Sequence, residues 1–176
     1  MVDDGGVLTA GPFSDWLTAM RAVLADGGSS DVPCDGCTAC CTSSQFVHID
    51  PDETDTLAAI PEALLFPAPG LPVGHLVLGY DERGHCPMLA DGACSIYDHR
   101  PRTCRTYDCR VFAAAGIDAD PARPLILERA RRWRFDYPTL PDREEHDAVL
   151  AAARSTRGSL PGADPTRIAL QSIGRS

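Results

Sequence analysis

Lysine is absent from this 176-residue chain, so all sixteen basic side chains are arginine. Beside the abundance of alanine, glycine, proline and aspartate, that follows from coding bias in a GC-rich genome. Aromatic residues are scarce, at 6%. Glycine and proline contribute 15 each, which predicts a loop-rich fold with a modest core that needs a staple. Basic charge is also short. A formal net charge of −9 argues against general nucleic-acid binding, which depends on cations neutralising phosphates. No segment approaches the roughly 18–20 apolar residues that span a bilayer. The opening MVDDGGVLTAGPFSDW carries two acids where a secretory signal carries positive charge, and it has no apolar stretch behind them. These features predict a cytoplasmic protein that makes no use of a membrane. No GxSxG, HExxH or glycine-rich phosphate loop is legible, and the five histidines are scattered. An enzymatic role is therefore not the first expectation.

Apolar residues nevertheless reach 44%, enough for a folded core. The chain is expected to form a single domain over residues 1–176. Its predicted class is mainly α: a small, loop-rich, irregular metal-binding fold with a few short strands, stapled by metal. Residues 1–12 read as a flexible leader. Trp16, Leu17, Met20, Val23 and Leu24 follow a helical rhythm over Ser14–Ala25, which Gly27 and Gly28 end. A Ser/Asp/Pro connector follows. Gln45–Ile49 reads as a strand, and Asp50-Pro51-Asp52-Glu53 as the start of a helix reaching about Ile60. Leu76–Tyr80 is a second strand, and Asp91-Gly92 a turn. Three helical stretches close the chain: Ile126–Phe135, Pro141–Arg157, and one opened by Asp164-Pro165 and running through Ile173.

What the chain has in excess is cysteine, eight in two blocks. The first reads Cys34-x-x-Cys37-x-x-Cys40-Cys41. Two intervening residues let neighbouring sulfurs converge while backbone N–H groups point at them. Small residues (Gly36, Thr38, Ala39) let that loop curl tightly, and the adjacent Cys40 and Cys41 must point apart. The second block, Cys86, Cys94, Cys104 and Cys109, is spaced too widely to close except through the fold. In a reducing compartment metal is the better reading than disulfides. The CxxCxxC spacing favours an iron–sulfur cluster, [4Fe–4S] first, over zinc. One centre with spare cysteines, two four-cysteine centres and a binuclear cluster all satisfy the count. His85 and His99 flank cysteines as candidate ligands or hydrogen-bond donors. Asp98, Arg100, Arg102, Arg105 and Arg110 crowd the second block, where guanidinium groups would offset thiolate charge. Arg102 and Arg110 read instead as solvated surface charges. Arg129–Arg134, RARRWR, reads as a solvated helix face rather than a contact for an acidic partner.

These residues resemble a known family. Cys34–Cys41 as CxxCxxCC, then Cys86-Pro87-Met88-Leu89, then Gly92-Ala-Cys94-Ser95-Ile96-Tyr97-Asp98-His99-Arg100-Pro101-x-x-Cys104-Arg105-x-x-x-Cys109, is similar to the CxxCxxCC cysteine-cluster family. Its YkgJ-like members are described as zinc- or iron-chelating. The resemblance spans roughly residues 34–110, leaving 111–176 as a C-terminal helical extension. It implies that all eight cysteines occupy family positions as metal ligands, and that Arg100, Pro101 and Arg105 belong to the motif, the two arginines at the cofactor. The expected function is metal binding in a structural, metal-handling or redox-sensing role, with the metal or cluster as partner and any protein partner unidentified. A related domain in flagellin lysine methylases implies the alternative, an enzyme or enzyme accessory, although no methyl-donor motif accompanies it here.

Overall fold

A computed structural model describes residues 6–30, 32, 34 and 36–175. In chain order the elements are β1 (Leu8–Pro12), α1 (Phe13–Asp26), β2 (Val47–Ile49), α2 (Thr54–Ala59), β3 (Leu65–Pro67) and β4 (Leu76–Leu78). There follow β5 (Leu89–Ala90), β6 (Ala93–Cys94), α3 (Arg102–Thr106), α4 (Arg110–Ala115), α5 (Pro124–Arg132), β7 (Trp133–Asp136), α6 (Leu140–Ser159) and α7 (Pro165–Arg175). Single 3₁₀ turns lie at Glu62–Leu64 and Tyr97–His99. Helix dominates and the strands are short, as expected. The chain divides into two units: Pro33–Tyr107, and Val2–Val32 together with Asp108–Ser176. No helix among the described residues is long and apolar enough to cross a membrane.

The Pro33–Tyr107 unit is built on a three-stranded antiparallel sheet in the order β2-β4-β3. Val47 faces Leu78 and Ile49 faces Leu76 across the first pair. Its core is small: Val47, Ile49, Ile60, Leu78 and Met88, with Cys86, Cys94 and Ile96 packed against it. The helix expected from Asp50 begins only at Thr54. Glu53 accounts for the delay. Its carboxylate accepts the Asp50 N–H, as in a capping box, while the intervening residues stay in a turn. Two residues join β5 to β6, Asp91 at φ 50° and Gly92 at φ 78°. Two left-handed positions make the type I′ hairpin that Asp-Gly favours.

The other unit carries the aromatic core. Phe13, Trp16, Phe112, Trp133 and Phe135 are all buried in it, with Leu17, Met20, Val149, Ile168 and Ile173. α1 forms as its periodicity predicts and ends at Gly27, left-handed at φ 66°, whose N–H returns to the Val23 carbonyl. Three expectations need correction. Within the leader, residues 1–5 lie outside the described residues, but Leu8–Pro12 is a strand paired in parallel with β7. The helix expected over Ile126–Phe135 is α5, and it stops at Arg132 because Trp133 and Phe135 alternate inward as strand residues. Arg110 is buried rather than solvated. Asp108, also buried, pairs with it at 2.7 Å and further accepts the Trp16 indole N–H at 3.1 Å and the Ser30 hydroxyl at 2.8 Å. A buried charge persists only with such partners.

A carboxylate also pins the helix starts of this unit. Asp142, in the first turn of α6, accepts the Thr139 N–H at 2.9 Å and its hydroxyl at 2.5 Å, and its other oxygen accepts the Ser14 N–H of α1 at 2.9 Å. The Thr139 hydroxyl, and then the Ser14 amide, hold the Asp142 carboxyl at about 2. The arginines of RARRWR are solvent-facing as expected but engaged: Arg131 pairs with Asp118 at 2.7 Å, and Arg129 lies over the Trp133 ring.

Candidate metal centre

The first cysteine block is a run of turns, as its spacing requires. The Cys37 N–H returns to the Cys34 carbonyl at 2.9 Å, and Gly36 between them takes φ 69°. From Thr38 the chain coils once more. The Thr42 N–H and hydroxyl both reach the Thr38 carbonyl, and the Ser43 hydroxyl reaches that of Ala39. Hydroxyl groups bonding four residues back hold an isolated turn without a longer helix. Cys40 and Cys41 leave this turn differently, Cys40 exposed and Cys41 half-buried. Asp31, Pro33 and Asp35, which belong to the expected connector and to the loop itself, lie outside the described residues.

Backbone bonds join this block to the second. The Cys86 N–H donates to the Cys41 carbonyl at 2.7 Å, and the Ser44 N–H to the Gly84 carbonyl at 2.9 Å. Gly84 is left-handed at φ 79°, and a Cβ there would run into the Ser44 hydroxyl. The left-handed backbone is what favours glycine here; the Ser44 hydroxyl could rotate away from a Cβ, but the φ could not be kept without strain. Asp81 shapes the turn before Cys86, its carboxylate accepting the N–H groups of Arg83 and His85. The Asp91-Gly92 hairpin then brings Cys94 back opposite Leu89, and the Ser95 N–H and hydroxyl both close on the Met88 carbonyl. Cys104 sits on α3, its N–H bonded to the Pro101 carbonyl at 2.8 Å.

α3 is itself tethered. Arg102 reaches Asp50 at 3.0 Å and Asp52 at 2.9 Å, while the Thr103 hydroxyl donates to the His48 carbonyl at 2.8 Å. Buried Glu53 accepts the Arg102 N–H and stands 3.7 Å from Arg105. Arg102 is thus a half-buried tie between α3 and the turn after β2, and not a freely solvated charge. Glu53 and Asp50 were invisible as anchors in the sequence, because their partners lie about fifty residues on. Arg100 lies over the Tyr97 ring at 3.6 Å and favours the charged form of Cys104. His99 is exposed, and His85 is half-buried with its N–H on Asp81.

The cysteines carry thiols rather than disulfides. Thiols of both blocks act on Cys41, and three of them, Cys41, Cys86 and Cys94, act on Cys104. Burial pushes the Cys41 thiol up to about 11, assisted by Cys86, Cys94, Cys34 and Cys37. Burial, then Cys41, Cys86 and Cys94, push Cys104 up to about 12, with Arg100 opposing. Cys104 is exposed as a whole residue while its thiol is turned into the cysteine group. Cys86 is raised by burial, while the N–H groups of Met88 and Leu89 act on its sulfur in the opposite sense. Such a set resists ionisation alone and ionises around a cation, because bound metal inverts the local charge balance. Backbone N–H groups aimed at sulfur are what a metal-bound thiolate needs. The donor set therefore fits a thiophilic metal or cluster. Cys109 lies in the other unit, buried, with its sulfur accepting the Trp133 indole N–H at 3.1 Å.

The sequence also concealed one group of potential ligands. His48, Asp50 and His75 place three donor atoms within 4.8 Å of one another. Only the register of β2 against β4 brings the two histidines together.

The model of the CxxCxxCC family, described as a zinc- or iron-chelating domain, matches residues 33–121, about half of the chain. No curated protein and no solved structure matches it.

Proposed function

The chain belongs to the CxxCxxCC family of zinc- or iron-chelating domains, and from that premise we propose that it holds a cysteine-ligated iron–sulfur cluster, in preference to zinc, within the Pro33–Tyr107 unit. The observation that carries this reading is that thiols of both blocks gather near Cys41 and Cys104, with the Cys86 N–H bonded to the Cys41 carbonyl between the blocks. The CxxCxxC spacing of Cys34, Cys37 and Cys40 supports the cluster over a single zinc ion, because it draws three ligands from one short loop.

The role we assign first is structural. A core of five buried apolar side chains is slight for this unit, and metal is the usual supplement in such cases. When bound, the metal would tie the first block to the hairpin and to α3. Cys40 lies on the exposed side of its turn, and Cys109, which belongs to the other unit under Trp133, is not counted in this ligand set. Arg100 offsets thiolate charge at Cys104, and Arg105 steadies α3 through Glu53.

Anaerobic purification followed by iron, zinc and acid-labile sulfide analysis tests the proposal. Iron with matching sulfide and visible charge-transfer absorption is the expected result. A colourless protein carrying zinc would replace the cluster with zinc thiolate sites. A folded protein with neither metal would overturn both.

A further inference from the structure

The geometry points to a second metal site, separate from the cysteines, formed by His48, Asp50 and His75 and suited to a divalent first-row transition ion. It does not depend on which metal the cysteines hold. His48 and Asp50 stand two residues apart at the end of β2, so they share one face of the strand. The β2–β4 register pairs Ile49 with Leu76, which sets His75 opposite Asp50 just beyond the ladder. The result is a convergent triangle: His48 Nε2 to His75 Nδ1 is 3.0 Å, His75 Nδ1 to Asp50 Oδ1 is 3.3 Å, and His48 Nε2 to Asp50 Oδ1 is 3.9 Å.

Edges of these lengths leave a common point about 2 Å from all three atoms, the bond length that imidazole nitrogen and carboxylate oxygen make to zinc and its neighbours. The two rings are nearly parallel, 15° apart, with His48 Nε2 and His75 Nδ1 facing each other and Asp50 Oδ1 beside both. The support around them is fixed. The second Asp50 oxygen is held by Arg102, the His48 carbonyl by Thr103, and the His75 carbonyl by the Ala68 N–H. Of these, the Arg102 bond orients the Asp50 carboxylate itself, as a neighbour of a metal ligand does, and the other two fix the backbone beneath the rings. All three side chains keep between 23% and 33% of their surface, so an ion can enter. Two imidazoles and one carboxylate suit Zn²⁺, Fe²⁺, Co²⁺ or Ni²⁺ rather than Ca²⁺ or Mg²⁺. Three protein ligands leave at least one position for water or a small anion, the layout of an open site rather than a closed structural one.

The ordinary alternative is a hydrogen-bonded histidine pair, one ring donating to the other beside the aspartate. Cobalt distinguishes the two. Protein purified anaerobically with its cysteine centre filled is titrated with Co²⁺ and followed by visible absorption and by X-ray absorption at the cobalt edge. The expected result is one equivalent per chain, with nitrogen and oxygen neighbours, imidazole scattering and no sulfur shell. His75→Ala and His48→Gln each weaken that binding by at least about tenfold and leave the iron, zinc and sulfide content of the cysteine centre unchanged. Absence of a cobalt equivalent in the wild type, a sulfur shell, or undiminished binding in either variant overturns the site. The edge spectrum of the wild type decides the matter even if a variant fails to fold.

Discussion

The two units of this chain solve the same problem by different means. In the helical unit the aromatic side chains are inside: Phe13, Trp16, Phe112, Trp133 and Phe135 are all buried. In the cysteine unit Phe46, Phe66, Tyr80 and Tyr97 are all exposed, and the core is five aliphatic or thioether side chains. One unit is held by apolar burial at roughly 25 cal/mol per Å². The other leaves four aromatics outside and carries seven cysteines, five of them half-buried and two exposed.

Removing the metal should separate them most sharply. A strong chelator under reducing, anaerobic conditions should abolish hydrogen-exchange protection at the amides of β2 and β4, since structural metal can supply about 10–16 kcal/mol. Both tryptophans lie in the helical unit, so their fluorescence should change little. Parallel loss of both signals would show that the division has no thermodynamic meaning. The converse experiment is a core truncation. Phe112→Ala should cost the helical unit about 3–5 kcal/mol in denaturant unfolding and leave metal stoichiometry intact, whereas Cys41→Ser should lower metal content.

Gly84→Ala should have a smaller effect that is confined to the cysteine unit. No ligand changes, but the left-handed turn is strained and the Ser44 hydroxyl must rotate away, for about 1–3 kcal/mol. Metal affinity should fall together with stability; unchanged affinity would mean that the bonds from Cys86 to Cys41 and from Ser44 to Gly84 do not position the blocks.

Acid should divide the units last and most gently. Thiols that ionise only at about 11 and about 12 without metal must release protons to bind it, so affinity falls as pH falls. The Asp142 contribution is complete above 3.8 and lost only as pH approaches about 2. Metal release, followed by metal analysis after gel filtration, should therefore precede acid unfolding of the helical unit, followed by tryptophan fluorescence. Any order retained by the metal-free cysteine unit should run the other way, weakening as pH rises from 9.0 through about 11 to about 12.

Local chemistry was legible in the sequence wherever the deciding residues are neighbours. Helix α1 and its Gly27 end, the Asp91-Gly92 hairpin and the turns of the first cysteine block all follow from residues a few positions apart. What stayed hidden was decided across distance. Leu8–Pro12 is too short and too rich in small residues to announce a strand, and its partner is Trp133–Asp136. Arg110 reads as a surface cation until Trp16 and Ser30 are seen to share its carboxylate, Asp108. His48 and His75 carry no local signal, because their meeting depends on the register of a sheet. The cysteines could be counted and spaced, but their division between units could not, since nothing beside Cys109 in sequence tells that its neighbour is the Trp133 indole.

The parallel pairing of β1 with β7 has a consequence during synthesis. The first strand has no partner until residues beyond 132 have been made, while the whole Pro33–Tyr107 stretch precedes them. At roughly 5–20 residues per second, that interval lasts on the order of seconds. In that time the cysteine unit is complete while the helical unit is still unfinished. The ribosome thus sets an order of events in which every residue of the cysteine unit is made before the aromatic core can close.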